Sequence, residues 1–217
     1  MDSSGTPASR RREAGAAART ETRRRLLQAA GDEFAERGYH AATVVRIAAR
    51  AGVTVQTLYL AWGSKSALLR AFLEQALSDD ADVPYPERLP RLIAAALEGA
   101  DADPGAAIAH FAHMYRQLAE RAALGWHLYR DAAASDREVA DDWQVLQEQR
   151  RATFADIVGR IPPAFLRPGL DPATAADTAW AIASPETYDL LVRTAGYTLD
   201  EYEEWVATTL ATALLAP

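Results

Sequence analysis

The sequence predicts an all-α protein. Alanine occurs 48 times in 217 residues, and alanine has the highest helix propensity of all residues. Runs of Val, Ile and Thr that alternate with polar residues, which are typical of strands, are missing from the sequence. Apolar residues recur instead at helical spacing, as in the stripe Leu68, Leu69, Phe72, Leu73 and Ala76. We therefore expect helices throughout, with a core built from their apolar faces.

Composition narrows the classes of protein that the chain can be. It contains no cysteine, which excludes disulfides, thiolate metal sites and cysteine nucleophiles. No apolar run approaches the 18 residues of a membrane span. Residues 1–18 are polar and carry arginines without an apolar segment, unlike a signal peptide. We expect a cytoplasmic protein that makes no membrane contact.

The two charge signs are separated along the chain. Residues 1–70 hold 12 Arg and Lys against 6 Asp and Glu, a net charge of +6, whereas residues 71–217 hold 11 against 24, a net charge of −13. Together these give the net charge of −7 for the whole chain. This asymmetry favours a small anion-binding module joined to an acidic body.

The basic third contains the signals of several short helices. A helix is expected from Thr20 until Gly38, because glycine commonly ends helices. Thr43 and Thr54 are good N-caps for the helices 44–51 and 55–61. These two helices are joined by a turn that contains Gly52, which makes a helix-turn-helix. The polar side chains on the outer face of its second helix are suited to phosphates and base edges, and they are Thr54, Gln56, Thr57 and Tyr59.

Capping signals also place the helices of the acidic body. Asp103 and Asp171 each precede a proline, an arrangement that favours a helix start. A Ser or Thr three residues before a Glu forms a capping box, and this pattern occurs at Ser135 and Thr198. Ser184 precedes another proline and caps a further helix.

Residues 20–70 resemble the N-terminal domain of the TetR family of bacterial transcriptional regulators. The resemblance rests on the stretch 38–48 (GYHAATVVRIA), on Ala51-Gly52-Val53-Thr54, on Thr57-Leu58-Tyr59 and on residues 64–69 (SKSALL). Residues 180–215 resemble C-terminal domains of the same family less specifically. The resemblance implies a homodimer that binds double-stranded operator DNA and releases it when a small-molecule effector enters the C-terminal body. It implies a repressor, not an enzyme, and no cofactor is expected.

The resemblance also assigns DNA contacts to particular residues. The positions that match phosphate contacts in the family are Thr43, Thr54, Tyr59 and Lys65, and those that match base or backbone contacts are Val55, Gln56 and Thr57. The chain departs from the family pattern at Leu60-Ala61-Trp62. Here Trp62 replaces the usual Phe as a core residue, and Leu60 could contact a thymine methyl group. The predicted domains are a disordered basic tail (1–18), a DNA-binding domain (19–66) and a ligand-binding and dimerisation domain (67–217).

The arginines near the start of the chain leave two interpretations open. Arg10, Arg11 and Arg12 lie in the predicted tail, and Arg23, Arg24 and Arg25 follow in the first helix. One interpretation is an arm that follows the phosphates or the minor groove. The other is a tail that only adds solubility.

An effector site is predicted around one arginine. In the helix after Ser135, Arg150 falls on the apolar stripe between Leu146 and Phe154, where a charge is costly unless it is paired. Either Arg150 pairs with a carboxylate of the same chain or reaches solvent, or it faces a pocket and meets an acidic or carbonyl-bearing effector. The residues predicted to complete the pocket are His110, Met114, Trp126, Tyr129 and Trp143.

A dimer interface is predicted on the last helices. The small residues around Trp180 allow helices to approach closely, and Trp205 lies on an apolar stripe with Tyr202 and Thr209. The alternative is that these side chains form the core of one chain. A different class of function, a helical enzyme or a metal-binding bundle, would use His110, His113 and His127, but their spacing fits pocket or surface histidines better, so no metal is expected.

Overall fold

A computed structural model describes residues 7–78, 94–95 and 102–216. These residues form helices and no strand, apart from an isolated antiparallel bridge between Leu166 and Leu215. The prediction of an all-α protein is therefore confirmed. The chain divides into two compact units, Met1–Leu73 and Glu74–Pro217. Within the described ranges, no helix is both long enough and apolar enough to cross a bilayer.

The N-terminal unit is a small helical domain around a helix-turn-helix. Its helices are α1 (Pro7–Ala41), α2 (Val44–Arg50), α3 (Val55–Trp62) and the first part of α4 (Lys65–Leu77). Gly38 interrupts α1 with a φ of 72°, as expected from its position in the sequence. The core of the unit is formed by side chains with at most 1% exposure, among them Leu26, Phe34, Ile47, Leu58 and Leu68.

The start of α4 lies with the N-terminal unit, which moves the boundary from the predicted 66/67 to Leu73. Phe72 explains the difference. Its ring lies 6.2 Å from the ring of Phe34 between centroids. A β-carbon on Gly31 would stand 2.9 Å from the same ring, so the absence of a side chain at Gly31 lets α1 and α4 approach closely.

Helix α1 begins earlier than the sequence suggested. A disordered tail was expected over residues 1–18, but α1 starts at Pro7, and residues 1–6 lie outside the described residues. Residues 14–18 include four alanines, and alanine, arginine and glutamate all favour helix. Extending an existing helix avoids the cost of nucleation, so this segment can join the packed part of α1.

The C-terminal unit is a bundle of longer helices. Its elements are α5 (Pro104–Ala133), α6 (Arg137–Val158), a 3₁₀ turn (Pro163–Phe165), α7 (Pro172–Ile182), α8 (Pro185–Tyr188), a π-helical segment (Asp189–Thr194) and α9 (Leu199–Leu214). The core joins one face of α9 to α5, α6 and α7. Alanines at 175, 176 and 179 form the buried face of α7, and their small size permits close helix packing.

Most helix starts in this unit match the sequence signals. Asp103, Asp171 and Ser184 cap their helices, and Thr198 forms a full capping box with Glu201. The prediction for Ser135 was wrong. The cap of α6 is Asp136, whose carboxylate accepts hydrogen bonds from the backbone N–H groups of Glu138 and Val139 at 3.1 and 3.3 Å. Asp and Ser are equally good caps, so the order of the two residues did not reveal the choice.

Candidate functional site

The outer face of α3 is exposed while its inner face is buried. Leu58 has no exposed surface and anchors the helix, which packs against α1 and α2. Gln56 is exposed, and the exposed fractions of Tyr59 and Leu60 are 49% and 82%. A short helix thus presents an amide, a phenol and an apolar group outward, which suits contacts in a major groove.

Threonines cap α2 and α3 as predicted. The Thr43 hydroxyl accepts the N–H of Arg46 at 3.3 Å, and the Thr54 hydroxyl accepts the N–H of Thr57 at 3.1 Å. The hydroxyls of Thr54 and Thr57 also share a hydrogen bond of 2.9 Å. Val55 is half-buried beside this cap. Thr54 and Thr57 therefore fix the start of α3. Their predicted DNA contacts would have to use the lone pairs and the hydroxyl hydrogen that these two hydrogen bonds leave over.

Lys65 connects the start of α4 to the end of α1. Its ammonium donates a hydrogen bond to the carbonyl oxygen of Tyr39 at 2.9 Å and lies 3.9 Å from the centre of the Tyr39 ring. The Tyr39 side chain is itself 4% exposed. This contact holds the Lys65 charge in place beside the end of α1, and its contact with a DNA phosphate stays a prediction.

Two arginines of α1 hold the helix-turn-helix through its main chain. Arg23 donates to the carbonyl oxygen of Ala61, and its guanidinium stacks over the Trp62 ring at 3.9 Å. Arg25 donates to the carbonyl oxygen of Ala51 in the turn before α3. Arg24 instead pairs with Glu21 on the surface at 2.8 Å. Arg23 and Arg25 thus support the helix-turn-helix from within the domain, and the DNA contact considered for Arg23–Arg25 stays a prediction.

Glu33 forms a buried charge centre that the sequence analysis missed. The residue is 3% exposed and its carboxylate meets Arg46 at 2.9 Å, Arg37 at 3.2 Å and Arg50 at 3.3 Å. The hydrogen bond from Arg46, helped by the charges of Arg46, Arg50 and Arg37, holds the pKa of Glu33 below its ordinary value. The cluster ties α2 to α1. The signal available in the sequence was an acidic residue, Glu33, within the apolar stripe of α1.

We expect Glu33→Gln to lower the melting temperature of the N-terminal unit at pH 7, because three arginines lose their shared carboxylate. A carboxyl group with a depressed folded-state pKa stabilises the fold above its unfolded pKa, about 4.3 for Glu, and loses that contribution as the pH falls through the folded pKa. The gap between wild type and variant should therefore narrow below about pH 4.3. Thermal melts from pH 3 to 7 test this. Glu36→Gln, which removes a half-exposed partner of Arg50, is the control and should cause a smaller change; an equal loss in both variants would contradict the assignment.

Comparison with known proteins identifies the domain that carries these features. Residues 26–72 match the model of the family described as bacterial regulatory proteins, tetR family. The N-terminal domain belongs to the TetR family. A curated relative, the uncharacterized HTH-type transcriptional regulator YdgC of Bacillus subtilis, is 48% identical over 48 residues. That match covers 22% of this chain and 25% of the relative, so the chain is comparable with only about a quarter of that protein's length.

Solved structures share the fold over about nine tenths of this chain. NalD, the secondary repressor of the MexAB-OprM multidrug efflux pump in Pseudomonas aeruginosa, matches with a TM-score of 0.68 at 20% identity, over 91% of this chain and 98% of NalD. SmeT in complex with triclosan matches with a TM-score of 0.67 at 22% identity, over 90% of this chain and 92% of SmeT. At these identities the likeness shows a common fold.

The residues predicted for the effector site are partly brought together. Trp143 packs against Trp126 and Tyr129, with ring centroids 5.7 and 6.2 Å apart. Tyr129 is fully buried and Trp126 is 7% exposed. Arg150 lies 5.5 Å from the Trp126 ring and donates to the carbonyl oxygen of Ala183 at 2.9 Å. His110 is exposed and Met114 is half-buried. Arg150 also donates to the side-chain oxygen of Gln147 at 2.8 Å, so its partners among the described residues are a main-chain carbonyl and an amide and not the carboxylate that the sequence suggested.

An apolar pocket lies next to this cluster in the C-terminal unit. Its volume is about 30 Å³, well below the several hundred Å³ of a drug-sized site. The lining comes from α5, α6, α7 and α9 and includes Ile108, Phe111, Phe154, Ile157 and Leu210. None of the six predicted residues is part of it. Phe154 connects the two regions, because its ring also lies 6.0 Å from the Arg150 guanidinium.

The predicted interface residues divide into two groups. Trp180, Trp205 and Thr209 keep part of their surface exposed on α7 and α9, although Trp180 and Trp205 also pack on the core. Tyr202 has no exposed surface within one chain and packs edge-on against Tyr188 at 5.1 Å. The assignment of Tyr202 to a subunit interface was wrong, because a side chain that is completely buried in its own chain cannot reach a second one.

The buried hydroxyl of Tyr202 has no hydrogen-bond partner among the described residues. Burial also raises the pKa of Tyr202 far above its ordinary value, so the phenol stays neutral. We expect Tyr202→Phe to leave the C-terminal unit unchanged or more stable by about 1 kcal/mol, because it removes a buried polar group without opening a cavity. Urea unfolding measures this. A loss of more than about 1 kcal/mol would show that the hydroxyl makes a favourable contact.

Proposed function

We propose that this TetR-family chain is a transcriptional repressor that binds double-stranded operator DNA as a homodimer and releases it on binding a small-molecule effector. The observation that carries the proposal is the exposed outer face of α3 on a helix-turn-helix whose inner face and ends are fixed by Leu58, Thr54 and Arg23. Such a helix, held rigidly and left bare on one side, fits a major groove.

The side chains of α3 can divide positioning from sequence discrimination. The Gln56 amide can form paired hydrogen bonds with adenine, and Leu60 can contact a thymine methyl group. Tyr59, Thr43 and Lys65 can donate to phosphates, which positions the domain without discriminating sequence. Lys65 is well suited to this role, because Tyr39 already holds its ammonium in place.

A homodimer follows from the number of recognition helices. One chain supplies one α3, whereas helix-turn-helix proteins bind two half-sites about 34–36 Å apart. A two-fold dimer meets this requirement with identical surfaces. The supporting surface is the half-exposed row of Trp180, Trp205 and Thr209 on α7 and α9, two helices that pack against each other.

The effector site is placed at the apolar pocket and its aromatic neighbours. An effector with an apolar body would enlarge the pocket by moving the Phe154 ring, and an acidic or carbonyl group on it would then reach Arg150. The solved complex of SmeT with triclosan supports a small organic ligand in a protein of this fold. A difference of about 1–3 kcal/mol in affinity between the DNA-bound and released states is enough for control.

The decisive experiment is binding to duplexes selected from a random library with the full-length protein. We expect selection of a two-fold symmetric sequence. Gln56→Ala should then relax the preference at one position of each half-site, by about 1–3 kcal/mol. Gln75→Ala, an exposed glutamine of α4, should leave affinity and preference unchanged. Failure to enrich any sequence, together with salt-insensitive binding, would overturn the proposed function.

A further inference from the structure

The first five turns of α1 carry a positively charged surface, and the helix-turn-helix contacts its last turn through Arg23 and Arg25. We name residues 7–25 of α1 the arm. Between residues 11 and 25 no side chain is buried, and from residue 11 onward the first fully buried residue of α1 is Leu26. Residues 11–22 therefore have no buried side chain that packs them on the domain, and their charged surface is available to a partner outside it.

The arginines of the arm fall into two groups. Arg23 and Arg25 donate to carbonyl oxygens of the helix-turn-helix, and Arg24 pairs with Glu21. Arg11, Arg12 and Arg19 are exposed, and the described part of the chain gives none of them a hydrogen bond or an ion pair. Arg11 lies about 100° around the helix from Arg12, so Arg12 and Arg19 are the pair that can share a face. The internal contacts therefore account for the later arginines and leave the earlier charges unexplained.

The helical register places these two charges on a defined side. Arg12, Arg19 and Leu26 follow one another at intervals of seven residues, which is close to two turns, so they share one face of α1. Arg23 lies on this face as well, one turn after Arg19, and reaches the last turn of α3. The face that packs into the domain thus continues outward as an arginine stripe on the side of the recognition helix.

We infer that Arg12 and Arg19 contact duplex phosphates outside the major groove occupied by α3. At 1.5 Å per residue, Arg19 stands about 6 Å and Arg12 about 16 Å beyond Arg23 along the axis. The longer span equals about five base pairs at 3.4 Å each. Between them on this face lie Gly15 and Ala16, which have no long side chain to keep the helix away from the DNA backbone. The inference rests on the proposed function and adds a second contact region to it.

The test compares two double variants that remove the same charge. Arg12→Gln with Arg19→Gln removes the stripe, and Arg11→Gln with Arg24→Gln removes two exposed arginines from other faces of α1. Affinity for the selected duplex is measured between 50 and 300 mM salt, with hydroxyl-radical footprints of each protein. Each lost phosphate contact lowers the salt slope by about 0.9, so the stripe variant of a dimer should lose about 3.6. Its footprint should shrink by about five base pairs at each outer edge.

The outcomes separate this inference from the proposed function. If wild type selects no duplex at all, the proposed function fails. If wild type binds but the stripe variant keeps the full slope and footprint, only the inference is overturned, and the stripe then serves another partner. An equal loss in both double variants would overturn it too, because the effect would follow total charge and not the face of α1. Melting temperatures should be unchanged throughout, since neither arginine of the stripe packs on the domain.

Discussion

Leu58→Ala is expected to unfold the N-terminal unit and to abolish DNA binding while the C-terminal unit stays folded. Leu58 has no exposed surface and is the one fully buried side chain of α3. Leu→Ala substitutions in packed cores cost about 2–5 kcal/mol, a large part of the total stability of a small domain. The loss should be local, because residues up to Leu73 form a compact unit of their own.

Hydrogen–deuterium exchange measures this outcome unit by unit. Amides of α2 and α3 should lose protection in Leu58→Ala, and amides of α5–α9 should keep it. Leu60→Ala is the matched control, because Leu60 lies on the same helix with 82% of its surface exposed. The control should keep full protection and change only DNA affinity. Equal loss of protection in both units would show that they unfold together and would contradict the prediction.

The second large effect is expected from Trp205→Glu, which should convert the proposed dimer into monomers. Trp205 is half-exposed on α9, next to Thr209 on the same row. Two-fold symmetry would bury the introduced carboxylate in the interface of both subunits without a partner. An unpaired buried charge costs about 3–5 kcal/mol, so the dimer dissociation constant should rise more than a hundredfold. Sedimentation equilibrium measures it, and operator affinity should fall in parallel.

Thr208→Glu is the control for charge on the same helix. Thr208 is exposed and lies about 100° around α9 from Thr209, so its carboxylate should remain in water and the dimer should persist. A dimer of unchanged strength in Trp205→Glu would place the interface elsewhere. Because Trp205 also packs on the core of its own chain, circular dichroism of both variants must first show intact helices.

The local signals of the sequence were sufficient for most helix starts but not for the side-chain contacts between helices. The caps Thr43, Thr54, Asp103 and Asp171 follow from residue type and position, because a cap interacts with backbone two or three residues away. Arg25 reaches a carbonyl 26 residues further along the chain. Such a contact depends on how helices pack, which no local pattern encodes. The sequence therefore did not show which arginines of the run make contacts inside the domain.

The apolar stripe of α9 shows where helical periodicity stops being informative. Tyr202, Val206, Leu210 and Leu214 repeat every four residues and are all buried. The pair Trp205 and Thr209 forms a neighbouring row with partial exposure. In a sequence the two rows merge into one broad apolar face, because residues three and four apart both lie close together on a helix. Only the packed structure separates the buried row from the partly exposed row that we propose as a subunit interface.

The support that α1 gives to α3 has a consequence for how DNA preference can change. Arg23 and Arg25 donate to the carbonyl oxygens of Ala61 and Ala51. Every residue at those two positions would offer the same carbonyl oxygen, and every residue except proline would also keep the same N–H. Arg23 and Arg25 therefore fix the path of the main chain, and this support does not depend on which side chains α3 presents outward. Gln56, Tyr59 and Leu60 can therefore be substituted together. Other residues at these three positions would change which duplex is bound and leave folding unchanged.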